Sequence, residues 1–119
     1  MIRILKGKLH NATITDKYLH YTGSLGIDAE LMEKAGIKPY EEILVVNITN
    51  GERFVTYAIE EERGSRRIVL NGAAARLGEV GDRVIIMAFR CVDEDKYDSY
   101  RPTVVILGQN NEVEKVIRE

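Results

Sequence analysis

The sequence predicts a mainly β domain that closes into a barrel and carries one or two short helices. Three observations lead there. Short runs rich in Val, Ile, Thr and Tyr recur along the chain, with turn residues between them. Only one segment combines helical spacing with start and stop residues. Open sheet edges are a liability, so closure into a barrel is favoured over a sandwich with free edges.

Taken in order, Ile2–Leu5 and Lys8–Thr15 read as strands and Tyr18–Thr22 as a short extended segment. Ile27–Ala35 reads as the helix. Asp28 is suited to cap its start, Leu31 and Ala35 share one face, Gly36 stops it and Pro39 blocks continuation. Ile43–Ile48 and Arg53–Ile59 flank Asn50-Gly51, two residues that tolerate positive φ and give the strongest hairpin signal in the chain. Arg67–Leu70 is a further short strand, and Asn71–Leu77, with three consecutive alanines, a turn of helix. Arg83–Val92 is the most apolar strand, Asp93–Arg101 a polar loop, Pro102–Leu107 a last strand and Gly108–Asn111 a turn. In the tail, Glu112–Glu119, Val113, Val116 and Ile117 fall at helical spacing.

The 119 residues make one domain, 1–119, with no linker or repeat. A chain of this size hides roughly two-thirds of its surface on folding, enough for a core without metal or disulfide staples. A hydrophobic fraction of 45% with 30% charged residues is that of an ordinary globular protein and argues against disorder. The net charge of −2 argues against a dedicated nucleic-acid partner. The longest apolar runs, such as Val84–Phe89, fall far short of the ~20 residues of a membrane span. Met1–Leu5, interrupted by Arg3, is too short for the core of a signal peptide. The one cysteine, Cys91, cannot form an internal disulfide, which fits a reducing cytoplasm; within an apolar strand it reads as buried filler.

Common chemical signatures are missing. His10 and His20 fall on separate expected strands without a cysteine partner, so no metal site is expected. There is no dinucleotide fingerprint or phosphate loop, and Gly78–Gly81 reads as a turn. Glu60-Glu61-Glu62 reads as a solvated loop. Two constellations stand out: His20-Tyr21-Thr22-Gly23-Ser24, and Asn47 through Tyr57 followed by Asn71-Gly72-Ala73-Ala74-Ala75. On the residues alone, turns and a hairpin explain both as well as function does.

These blocks, together with Lys8-Leu9-His10 and Glu62-Arg63-Gly64-Ser65-Arg66, occur in an order that resembles the pyruvoyl-dependent aspartate decarboxylase family from Met1 to about Gly108. The resemblance implies a double-ψ β-barrel and a lyase, an aspartate decarboxylase. Such an enzyme converts L-aspartate to β-alanine and carbon dioxide for pantothenate, and hence coenzyme A, biosynthesis. It implies that the precursor cleaves itself between Gly23 and Ser24 into chains 1–23 and 24–119. Ser24 then becomes the covalent pyruvoyl group that forms a Schiff base with substrate. By the same resemblance Tyr57 is the proton donor; Thr56, Gly72, Ala73 and Ala74 bind substrate; Lys8 and Arg53 hold its carboxylates; and Asn71 belongs to the pocket. A homotetramer with sites at subunit contacts is implied, and a maturation factor is an open partner. Two departures stand out: Val46 where some relatives carry Trp, and Gly26, which loosens the backbone just past the cut.

These residue types suit the chemistry. Decarboxylation of an amino acid leaves an electron pair at Cα that no ordinary side chain can accept, so a carbonyl cofactor is needed, and a serine can supply one. Glycine before that serine leaves its carbonyl open to attack. Tyr57 carries a proton to give, and Arg53 a planar fork for a carboxylate. Arg53 and Tyr57, four apart on a strand, share a face, whereas Thr56 alternates away unless the strand twists or bulges or subunits combine. The alternatives are the same chemistry on another amino acid such as glutamate, and an unprocessed barrel acting as a binding or assembly module.

Overall fold

The computed structural model describes residues 1–118. Nine strands form one sheet: β1 (Ile2–Thr13), β2 (Asp16–Tyr18), β3 (Ser24–Asp28), β4 (Glu42–Asn47), β5 (Arg53–Glu61), β6 (Ile68–Asn71), β7 (Arg83–Val92), β8 (Thr103–Leu107) and β9 (Val113–Arg118). Their order is β2-β6-β3-β5-β4-β7-β1-β8-β9. Three neighbouring pairs are parallel, β1 with β8, β3 with β5 and β2 with β6; the others are antiparallel. The chain leaving β1 crosses to the far end of the sheet, where the Thr15 N–H donates to the Ile68 carbonyl (2.8 Å) and β2 pairs with β6. This crossing closes the double-ψ β-barrel. The interior is aliphatic, with Leu9, Leu25, Ile27, Val45, Ala58, Ile86 and Val105 fully buried.

One α-helix, α1 (Ala29–Ala35), buries Leu31, Met32 and Ala35 against the barrel. Asp28 caps it by accepting from the Glu30 N–H at 2.8 Å, and Gly36 ends it at φ 75°. Ile27 belongs to β3, so the helix starts two residues later than its spacing suggests. Short 3-10 turns cover Gly72–Leu77, Glu94–Ser99 and Gln109–Asn111.

Several expectations change. The first two strands are one, β1, bent by register shifts between Leu5 and Gly7 and between Leu9 and Ala12. Residues 19–23 form an exposed loop rather than an extended segment. The hairpin after β4 is a longer loop: only Gly51 takes positive φ, the Asn47 N–H donates to the Glu52 carbonyl at 2.7 Å, and the Asn47 side chain accepts from the Thr49 and Asn50 N–H groups. The tail is strand β9, paired with β8, not helix; Glu119 lies outside the described residues. Cys91 is exposed, near the end of β7 where the neighbouring Arg90 is exposed too. Glu60 and Glu61 lie in β5, where Glu61 pairs with Arg67 at 3.0 Å.

Candidate active site

Ser24 opens β3, a strand buried along its whole length. It lies between two partners. On one side it pairs with Asn71 of β6, whose Nδ2 donates to Ser24 Oγ at 3.1 Å. On the other, Leu25 pairs with Ala58 of β5, so one residue back Ser24 stands level with Tyr57. Leu25 and Ala58 face the core, and alternation puts Ser24, Asn71 and Tyr57 on the opposite face. Ser24 is 1% exposed and Tyr57 39% exposed. The Tyr57 ring lies 6.4 Å from that of Tyr40, which is held at φ 67°.

The loop ahead of Ser24, residues 19–23, is exposed. Gly23 lies outside the positive-φ region, and a Cβ there would meet nothing within 4 Å. The folded chain therefore does not itself require glycine at the residue before the cut. Gly72 does lie at positive φ, 65°, packed against the loop backbone. It begins the 3-10 turn that carries Ala73 and Ala74 and that packs against both β3 and β5. Gly26 is not loose: it pairs with Ile59 on one side and Val69 on the other, and the Glu61 carboxylate crosses over its Cα.

Of the residues singled out from sequence, Gly23, Ser24, Asn71 and Gly72 come together, with Tyr57 beside them and Ala73 and Ala74 on the adjoining turn. Thr56 is half-buried on the other face of β5, which pairs with β4 without a register shift, so no bulge brings it round. Arg53 shares the Tyr57 face about 13 Å along the strand. Lys8 is farther off. Strands β5, β4 and β7 lie between β3 and β1, about 19 Å around the sheet. It keeps the same outer face, because Lys8 pairs with Met87, Met87 with Leu44 and Leu44 with Val55. Neither Lys8 nor Arg53 makes an ion pair among the described residues.

Three further features of the fold had no assigned role in the sequence reading. The first is the Tyr40 ring beside Tyr57. The second is His10, whose Nδ1 is buried without a hydrogen-bond partner; burial, and then the Lys8 charge, lower its pKa and favour the neutral imidazole. The third is Arg67, which bonds Asp16, Glu61 and the Tyr18 hydroxyl and so ties the strand before the loop to β5 and β6. Only His10 had a signal, its place in Lys8-Leu9-His10. Among the described residues no cluster of His, Cys, Asp or Glu is placed to hold a metal, and no helix is long and apolar enough to cross a membrane.

A family model described as aspartate decarboxylase matches residues 1–114. Curated relatives named aspartate 1-decarboxylase align over nearly their whole length. That of Thermosipho africanus is 56% identical over 116 residues, covering 98% of this chain and 95% of the relative. That of Thermosipho melanesiensis is 58% identical over 113 residues, covering 95% and 93%. That of Caldicellulosiruptor saccharolyticus is 53% identical over 116 residues, covering 98% and 91%.

Proposed function

The chain belongs to the aspartate decarboxylase family, and from that premise we propose that it makes its own pyruvoyl group at Ser24 and uses it to convert L-aspartate to β-alanine and carbon dioxide, supplying pantothenate biosynthesis. The observation that carries the reading is the seating of Ser24. A serine hydroxyl is buried between Asn71 and the Tyr57 position, at the first residue of a fixed strand and just after an exposed loop. The residues leave room for the group: Ser24 Oγ departs with Gly23 and the ketone oxygen replaces the Ser24 nitrogen on Cα, so the Asn71 amide, which donates to Oγ in the intact chain, is left as a free donor beside the new carbonyl.

In maturation, a bond forms from Ser24 Oγ to the Gly23 carbonyl carbon. The Gly23–Ser24 C–N bond breaks and the hydroxyl proton ends on the freed amine. Thr56, on the opposite face of β5 from Ser24, is not assigned to the Gly23 oxyanion. Loss of the Ser24 Cα proton then expels the Gly23 carboxylate from Cβ, and water replaces the nitrogen, releasing ammonia. The products are chains 1–23 and 24–119.

The pyruvoyl carbonyl supplies a covalent hold on the substrate amine and a place for the electron pair left by carbon dioxide. The chain's own residues do the rest. Tyr57 donates a proton to the substrate carbon from the open side of β5. Gly72, Ala73 and Ala74 border the substrate on the turn against β3 and β5. Arg53 and Lys8, both without an acidic partner among the described residues, hold the substrate carboxylates. A cation fixed on the departing carboxylate would stabilise the ground state, so at least one of them grips the side-chain carboxylate. Because Lys8 is distant within one chain, a second copy completes the site. The outer face it would cover carries Leu44, Val46, Val55 and Met87, with Val55 62% exposed. This supports association with further copies of the chain, and a homotetramer is the form the family resemblance implies.

Purified protein incubated separately with L-aspartate and L-glutamate tests the reading. β-Alanine should form from aspartate, and phenylhydrazine, which blocks a ketone, should abolish it. Activity that survives the carbonyl reagent would overturn the cofactor assignment, and turnover of glutamate alone would overturn the substrate.

A further inference from the structure

The loop before the cut rests on a glycine that is not part of the cut. A Cβ at Gly72 would stand 2.7 Å from Gly23 Cα, 2.8 Å from Gly23 N and 2.9 Å from the Tyr21 carbonyl oxygen. Such separations force backbone atoms to move. At Gly23 itself an added Cβ meets nothing. The side chain whose absence this corner requires is therefore the one at 72. Its neighbour Asn71 holds the Ser24 hydroxyl at 3.1 Å. Two consecutive residues thus touch both partners of the first bond-forming step, Asn71 the nucleophile and Gly72 the backbone of the acyl group.

We propose that Gly72 is a positioning residue for self-cleavage: lacking a Cβ, it lets the Tyr21–Gly23 backbone lie on the 71–72 corner and so orients the Gly23 carbonyl carbon toward Ser24 Oγ. This rests on the reading of Ser24 as the nucleophile. Attack between adjacent residues depends on few torsions, chiefly Ser24 χ1 and those on either side of the Gly23–Ser24 bond. Asn71 restrains the first, and the seat on Gly72 restrains the backbone. Lost orientation of this kind costs rate without costing the fold, and a misplacement near 1 Å is worth about 10²-fold.

The test follows the intact chain to its two fragments by mass against time, with a melting curve for each protein. Gly72→Ala and Gly72→Asn both add the carbon, and asparagine tolerates the left-handed backbone, which separates the contact from the conformation. Gly36→Ala is the control: Gly36 has φ 75° and nothing within 4 Å of its added Cβ. Both position-72 variants should fold and cleave about 10²-fold more slowly. Gly36→Ala should melt lower yet cleave at the wild-type rate, a separation that a merely structural glycine would not produce. Wild-type cleavage rates at position 72 would overturn the proposal. So would failure of both variants to fold, because the added carbon meets an exposed loop that is free to move aside. A wild-type chain that never cleaves at 23–24 would sink the reading beneath it, whereas undiminished variants beside a cleaving wild type remove only the seat.

Discussion

Tyr57 and Ser24 stand level on neighbouring strands, one exposed and the other buried. On the proposed reading the asymmetry divides making the cofactor from using it. The buried hydroxyl has its own partner in Asn71, while Tyr57 is open to solvent. Tyr57→Phe keeps the ring beside Tyr40 and removes only the O–H. Cleavage at 23–24 should survive, and β-alanine formation should fall by roughly 10²–10⁴-fold, the usual worth of a positioned general acid. Unchanged β-alanine formation would remove the proton-donor role; lost cleavage would move Tyr57 into maturation. At this scale the residues were named through a family resemblance, and one packing requirement was not legible. Glycine at 23 was expected to leave its carbonyl open to attack; the glycine that close packing demands is at 72, and that contact joins residues about fifty apart, which no local pattern records.

Strand β3 carries the serine, and Asp28 secures its far end. That carboxylate is fully buried, caps α1, and accepts from the Gly64 and Arg66 N–H groups and the Arg66 guanidinium. Burial opposes its ionisation, but these donors prevail and hold its pKa below the ordinary value of 3.8. A depressed folded pKa contributes stability that is complete above the unfolded value and is lost as pH falls through the folded one. Asp28→Asn should therefore cost about 2–3 kcal/mol at pH 7. The difference from wild type should shrink once the pH drops below 3.8. Denaturant titrations at pH 7 and pH 3 measure both, and a pH-independent difference would contradict the assignment. The cap at Asp28 and the stop at Gly36 were legible because capping is local chemistry. Strand β3 was not, since five residues including a glycine carry little β signal and gain their order from β5 and β6 on either side. The tail failed for the same reason: its spacing suggested a helix, and pairing with β8 decided otherwise.

At the scale of the whole molecule, barrel closure was legible from the density of short strands, but the joining of distant segments at Ser24 was not. The outer face carries Ser24, Asn71, Tyr57, Arg53 and Lys8 over an apolar surface, with Lys8 four strands around the sheet from Ser24. A chain that cuts itself must carry every group for the cut before the cut is made, and the intact fold does hold the hydroxyl, its donor and the seated loop together. Intact-mass measurement of the purified wild type and of Ser24→Ala tests this most directly. The wild type should give a 1–23 fragment and a 24–119 fragment lighter by one ammonia than a serine-headed chain, whereas Ser24→Ala should give a single intact chain. A wild-type chain left whole, a 24–119 fragment with the mass of an unmodified serine, or cleavage at 23–24 in Ser24→Ala would each contradict the account.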